Sequence, residues 1–209
     1  MTDKNMPARI NLDRLQEGLR TKQFGKRIVF LREVGSTNDY AKKLASYGAP
    51  EGTIVIAETQ TAGRGRLGRK WVSPKGGLYF SIVLRPKLSA SEAVGLVFVA
   101  GLAVAKVLDE VYGLKAETKW PNDVLVNGKK ICGILLEMNT TAEKVNYAIV
   151  GIGLIANIDV EKRFQGQLRV VVTSIENELG RTVKLEELFG VLLEKLESLY
   201  ELFLKEGFT

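Results

Sequence analysis

Gln60-Thr61-Ala62-Gly63-Arg64-Gly65-Arg66-Leu67-Gly68-Arg69-Lys70-Trp71 decides how the rest of this chain is read. Within it, Gly63-x-Gly65-x-x-Gly68 has the spacing of a dinucleotide-binding turn. Such a turn follows a strand and opens a helix, so that a pyrophosphate meets the helix N-terminus. The strand is present, because Thr53-Ile54-Val55-Ile56-Ala57 is β-branched and apolar. The helix is not. Ser73-Pro74-Lys75-Gly76-Gly77 interrupts it, and the run from Leu78 to Leu84 reads as a further strand ended by Pro86. Arg64 and Arg66 would also crowd the close backbone approach for which that motif exists. The doubly wound reading is therefore set aside.

Charge gives the stretch a different meaning. Between Thr59 and Ser91 there is no Asp or Glu, yet there are seven basic residues: Arg64, Arg66, Arg69, Lys70, Lys75, Arg85 and Lys87. Arginines separated by glycines sit on a backbone able to fold over a ligand, and guanidinium suits bidentate contact with phosphate or carboxylate. A solvated surface loop and an Arg-Gly nucleic-acid segment are the alternatives. The second lacks the interleaved aromatics of a base-stacking platform. The whole chain carries +6 with a pI near 9.3, which points to anionic partners without choosing among them.

Absences narrow the chemistry. The 209 residues include no histidine, which excludes Ser-His-Asp and Cys-His catalysis and histidine metal sites. The single cysteine, Cys132, excludes an intrachain disulfide and reads as a buried small residue. Met1 to Arg9 has no apolar core of a signal peptide. The apolar segment Ala93 to Val107 is interrupted by Gly95, Gly101 and Lys106, and reads as a buried helix rather than a membrane span. A soluble, cytoplasmic protein is expected.

Outward from the opening stretch, residues 10–22 suggest a weak short helix and Arg27 to Arg32 a strand. Ser36-Thr37-Asn38-Asp39 offers capping groups ahead of a helix from Tyr40 to Tyr47, stopped by Gly48. Ser89 starts a long helix to about Tyr112, with Gly113 as its stop. A strand at 116–119 is followed by Lys119-Trp120-Pro121-Asn122-Asp123. Asn127-Gly128 then turns a hairpin between 124–126 and 130–137. Val145 to Val150 is a strand closed by Gly151-Ile152-Gly153, and Lys184 to Lys205 an amphipathic helix. The expected class is α+β, a mixed, largely antiparallel sheet flanked by helices.

In Lys119-Trp120-Pro121-Asn122-Asp123, Pro121 biases Trp120 to extended geometry and holds Lys119 and the Asn-Asp pair in a defined loop. A cation beside carboxamide and carboxylate oxygens suits an anionic substrate with Mg²⁺. A plain turn with a surface ion pair is the alternative.

Together these segments resemble the catalytic domain of biotin–protein ligases. The residues that carry the resemblance are Ser36-Thr37-Asn38, the Gln60–Trp71 run, Lys119-Trp120-Pro121-Asn122-Asp123, the Lys129–Glu137 run and Gly151-Ile152-Gly153, in the family's order over about residues 27–200. The resemblance implies a class II synthetase-like fold over 27–209, an extension over 1–26, and absence of the family's C-terminal SH3-like barrel. It also implies a two-step reaction. Biotin and ATP give biotinyl-5′-AMP, and a lysine of a biotin carboxyl carrier protein then takes the biotinyl group. Nucleophiles come from the substrates, so no enzyme Ser, Cys or His is needed.

Carried over by position, Ser36, Thr37, Asn38 and Gln60 are expected to hold biotin, with Gly63, Arg64, Gly65 and Arg66 as the loop that folds over it. Arg66 and Lys119 are the expected catalytic cations, both reaching biotin's carboxylate and the α-phosphate. Arg69, Trp71 and Asn122 are expected at the nucleotide. Asp123 is the expected Mg²⁺ ligand, and Gly133 and Gly151 let backbone approach biotin and nucleotide. Bland alternatives stand beside these: Ser36 and Thr37 as helix caps, Trp71 and above all Trp120 as core aromatics, Glu137 as partner of a neighbouring base. Ile155 departs from the family, which places Asn there, and Asn157 is two residues away. A homodimer pairing through 78–84 is a further expectation. No DNA or membrane role is expected. A lipoate or octanoate ligase or transferase, or an impaired biotin-binding module, are the rival readings.

Overall fold

A computed structural model describes residues 10–207; the segment Met1 to Arg9 lies outside them. Among the described residues one sheet runs in the order β1-β2-β3-β7-β6-β5-β4. β1 (Ile28–Val34) and β2 (Ile54–Gln60) are parallel, joined by the crossover helix α2 (Thr37–Ser46). Every other neighbouring pair is antiparallel: β3 (Leu78–Leu84), β4 (Ala116–Lys119), β5 (Asp123–Val126), β6 (Lys129–Thr141) and β7 (Lys144–Leu154). The mixed, largely antiparallel sheet flanked by helices is as expected.

Alternation of side chains gives the sheet two unlike faces. On one, Ile54, Ile56, Phe80, Ile82, Ile134, Val150 and Ile152 join the main core with α4 (Leu96–Tyr112) and α8 (Leu185–Glu206). α4 continues the short α3 (Ala90–Ala93), whose N-terminus carries a complete capping box of Ser89 and Glu92. It ends at Gly113 in the left-handed region, φ 67°, as its sequence suggests. On the other face, α2 covers Val55, Val83, Tyr147 and Ile149. Beyond α2 that face carries Ser81, Gly133, Gly151 and Gly153, too small to build a second full core. That gap becomes the cavity described below.

Several expectations are corrected. β3 lies between β2 and β7, with both edges hydrogen-bonded and all seven residues buried, so it cannot pair across a dimer. β7 runs on through Gly151 and Gly153 to Leu154, because β3 and β6 pair with it on both sides there. Trp120, expected in the core, is 77% exposed. The region 155–183 holds three short helices the sequence reading did not place: α5 (Val160–Arg163), α6 (Gly166–Val171) and α7 (Ile175–Leu179). Residues 10–26, expected as an extension, begin with α1 (Leu12–Glu17) and bury Leu15 and Phe24 in the main core. Ala90–Tyr112 is long and apolar enough to span a membrane by composition alone, yet Leu96, Ala100, Ala103, Val104 and Leu108 are buried against the sheet and α8.

Candidate functional site

The small-residue face of the sheet opens into a cavity of about 260 Å³. Its walls come from the start of α2, the end of β2, the Gly-Arg loop, β6, β7 and the segment at 168–172. Ser36, Thr37, Asn38, Gln60, Arg64, Gly65, Arg66, Arg69, Trp71, Asn122, Asp123, Gly133 and Gly151 all line it. Two expected residues do not. Gly63 sits behind it, where its carbonyl accepts from the Trp71 N–H at 2.9 Å and a Cβ would come 2.5 Å from the Trp71 carbonyl oxygen. Lys119 is exposed and faces a neighbouring apolar groove with Trp120, Phe98 and Leu102.

The floor is a run of hydrogen bonds. Ser36 caps α2 through Asp39 N–H at 3.4 Å, so the expected capping role is real. Thr37 donates its N–H at 2.8 Å and its hydroxyl at 3.1 Å to Gln60 Oε1. The Ser81 hydroxyl lies 2.8 Å from Thr37 Oγ1 and 2.6 Å from Asn38 Oδ1. Asn38 Nδ2 donates to Glu137 Oε2 at 2.9 Å and to the Leu135 carbonyl at 3.3 Å. Gln60 Nε2 donates to Ser73 Oγ at 2.9 Å. Gln60 Oε1 also accepts from the Thr37 N–H, so the hydroxyl hydrogens of Thr37 and Ser81 serve the remaining contacts and no acceptor in the floor is left bare. Thr37 Oγ1, Asn38 Oδ1 and Gln60 Oε1 keep spare lone pairs, which makes this end of the cavity able to receive an N–H donor.

Gly151 is needed here because of Asn38. A Cβ at Gly151 would lie 2.0 Å from Asn38 Oδ1. Gly133 and Gly153 serve Trp71 in the same way, with a Cβ at 2.9 Å and 2.6 Å from its indole. Trp71 thus lies flat on β6 and β7, and Lys130 Nζ stands 5.1 Å from its ring centroid.

The other end is basic. The loop closes on itself through Gly65 N–H to Arg69 O at 2.7 Å, which carries Arg66, Arg69 and Lys70 to the rim. Leu67 (φ 55°) and Gly68 (φ 72°) make the reversal at its tip. Lys130, which the sequence reading did not assign, lies inside with Nζ 2.7 Å from Asp123 Oδ1. Its position follows from a bulge. Val124 pairs with Cys132 and Leu125 with Lys130, so Ile131 is extra in β6. Without the bulge Lys130 would share the core face of Cys132 and Ile134; with it, Lys130 joins the cavity face of Gly133, Leu135 and Glu137. Strand alternation alone points Lys130 the wrong way.

Arg64 has other partners. Its guanidinium pairs with Asp39 and with both oxygens of Glu137, at 2.9 and 3.1 Å. Partial burial alone lowers its pKa; hydrogen bonds to Asp39 and Glu137 outweigh this and hold it above the ordinary value. Glu137 does pair with a neighbouring base, as one alternative had it. Asp123, the expected metal ligand, is engaged by Lys130, and among the described residues no group of three or more His, Cys, Asp or Glu side chains could hold a metal. Magnesium ordinarily takes one or two carboxylates together with substrate phosphates, and here Asp123 shares its carboxylate with Lys130. Asn157 does not replace the family's asparagine: its side chain is tied to the Val183 backbone at 2.7 and 2.8 Å, while Ile155 is buried with Ile158 and Phe164. Burial pushes the Cys132 thiol up, away from nucleophilic thiolate.

The sequence profile of the biotin/lipoate A/B protein ligase family matches residues 30–154. A "Bifunctional ligase/repressor BirA" of Bacillus subtilis is 35% identical over 204 residues, 97% of this chain and 62% of that protein. A "Biotin--[acetyl-CoA-carboxylase] ligase" of Paracoccus denitrificans is 42% identical over 166 residues, 78% of this chain and 68% of that protein. Among solved structures, "Biotin protein ligase from Aquifex aeolicus in complex with biotin and ATP" superposes with a TM-score of 0.72 at 33% identity, covering 87% of this chain and 73% of that one.

Proposed function

The chain belongs to the biotin/lipoate A/B protein ligase family, and from that premise we propose that it is the catalytic domain of an ATP-dependent biotin–protein ligase. It spans 62% of the length of the Bacillus relative, so the reading concerns the ligase chemistry alone. The observation that carries it is the polarity of the cavity: an acceptor-rich neutral floor at one end, Arg66, Arg69, Lys70 and Lys130 at the other. Biotin matches that polarity, with ureido N–H groups on one end and a carboxylate on the other.

In this reading Thr37, Asn38, Gln60 and Ser36 receive the ureido head. Biotin's carboxylate oxygen attacks the α-phosphorus of ATP, pyrophosphate leaves, and the mixed anhydride stays in place. An acceptor lysine amine of a biotin carboxyl carrier protein then attacks the acyl carbon, and AMP leaves. No side chain forms a covalent bond. The protein's task is to place two anions together and offset charge gathering at phosphorus, which Lys130 and Arg66 are positioned to do from inside the cavity and from its rim. Lys130 takes the part expected of Lys119. Trp71, with Lys130 above its ring, offers the face for an adenine. Magnesium enters only with ATP, as the counter-ion of its phosphates.

The reading also takes the enzyme to be cytoplasmic and homodimeric, with no part in DNA or membrane binding. The edge that β1 leaves unpaired among the described residues is a surface that a second copy extends. Against an octanoyl transferase stands the buried Cys132, which is no nucleophile.

Calorimetric titration of biotin, alone and with MgATP, tests the assignment, together with biotin-dependent ATP–pyrophosphate exchange. Biotin affinity that tightens with MgATP and exchange that needs biotin are expected. Lipoate or octanoate binding in place of biotin would keep the family and discard the substrate. Gly151→Ala gives a sharper check. Its Cβ displaces Asn38, which loses hydrogen bonds worth about ten- to a hundredfold in affinity. Biotin bound as tightly by Gly151→Ala as by the parent would remove Asn38 from the site.

A further inference from the structure

The resemblance gives Arg64 to the ligand, but the charges around it argue otherwise. Arg64 is bracketed by two carboxylates, Asp39 on α2 and Glu137 on β6. The three together carry a net −1, so this guanidinium has no attraction left for a carboxylate or phosphate. Glu137 meanwhile does two things with one carboxylate. It accepts from Asn38 Nδ2 at 2.9 Å and from Arg64 Nη2 at 2.9 Å through the same oxygen. The first bond fixes which way the Asn38 amide faces: Nδ2 is turned to Glu137 and the Leu135 carbonyl, so Oδ1 is turned to Ser81 and the cavity floor. The second ties the Gly-Arg loop down to the sheet.

We propose that Glu137 is a positioning residue that couples the two halves of the site: it orients the Asn38 amide and, with Asp39, staples the loop that bears Arg66 and Arg69 through Arg64. Arg64 is then a structural staple rather than an anion ligand, and the loop is held over the cavity before any ligand arrives. A loop closed in advance costs less ordering on binding. Asp39 contributes only to the staple, since its side chain touches Arg64 and not Asn38. The two carboxylates therefore have separable effects.

The part concerning biotin rests on the proposed function; the staple does not. The test uses the full chain with Glu137→Gln, Asp39→Asn, Arg64→Gln and the Glu137→Gln/Arg64→Gln pair. In ligand-free protein, tryptic cleavage after Arg66 and Arg69, followed by mass spectrometry, reads how often the loop opens. Glu137→Gln is expected to speed this cleavage about tenfold, the scale of one charged hydrogen bond, and Arg64→Gln, which also loses Asp39, by somewhat more. The double variant is expected to be no faster than Arg64→Gln alone, because Arg64→Gln already removes the tie that Glu137→Gln removes. Asp39→Asn, a substitution on the exposed side of α2, is expected to speed cleavage by a smaller factor. In biotin titrations, Glu137→Gln is expected to weaken binding about tenfold, while Asp39→Asn, which only loosens the loop, is expected to weaken it by a smaller factor. Cleavage unchanged in both Glu137→Gln and Asp39→Asn overturns the staple, and additive effects of Glu137 and Arg64 overturn their coupling. Biotin affinity unchanged in Glu137→Gln overturns the orienting role. Parent protein that ignores biotin sinks the proposed function instead, and the cleavage rates still decide the staple.

Discussion

Lys130→Ala is expected to lower biotin-dependent ATP–pyrophosphate exchange about a hundred- to a thousandfold, the loss seen when a single preorganised donor to developing charge is removed. The expectation rests on where the lysine is. Nζ lies inside the cavity, 2.7 Å from Asp123 and over the Trp71 ring. Removal leaves Asp123 at the cavity wall without its cation, adding repulsion of the substrate's phosphates to the loss of attraction. Lys119→Ala in the same assay is expected to lose at least about tenfold less, because Lys119 faces the neighbouring groove. The opposite order would mean that the loop at 119–123 rearranges when ATP binds. Lys130→Arg is informative as well: a planar fork does not replace a point charge in a confined site.

Glu197→Ala carries the largest expected cost in stability. Glu197 lies in the middle of α8, 7% exposed. Its Oε1 accepts from the N–H groups of Gln23 and Phe24 at 2.7 and 2.8 Å, and its Oε2 from Lys22 N–H at 2.7 Å. A carboxylate receiving three backbone donors satisfies a segment with no sheet partner, and alanine leaves all three donors without one. A loss of roughly 3–5 kcal/mol follows, equivalent to roughly 6–20 °C in melting temperature for a domain of this size. Thermal unfolding followed by circular dichroism measures it. A shift of no more than about 2 °C would mean that water takes over the three donors at little cost.

Much of the fold could be read from the sequence, and the reasons are local. Asn127-Gly128 makes its two-residue hairpin, Ser36 caps its helix and Gly113 takes the left-handed conformation. Apolar runs such as 78–84 were recognisable as strands. Their place in the sheet was not, because pairing order depends on partners far along the chain; that is why an interior strand was expected at a dimer interface. Gly151 and Gly153 read as a strand end, but neighbours on both sides keep them in the ladder. Trp120 read as core because of its size, and lies exposed beyond β4. In the site, the Gly-Arg loop and the Ser36–Asn38 run were legible as motifs. Lys130 was not, since its direction depends on a one-residue irregularity between β5 and β6 that periodicity cannot express.

That irregularity makes spacing a carrier of chemistry. Inserting one apolar residue between Val124 and Leu125, opposite Ile131, alters no charged residue, removes no hydrogen-bonding side chain and lengthens β5 by one position. It also restores plain alternation between β5 and β6 and turns the ammonium of Lys130 toward the oily side of the sheet. The number of residues between Asp123 and Gly133 thus shapes this cavity as much as the identity of either does.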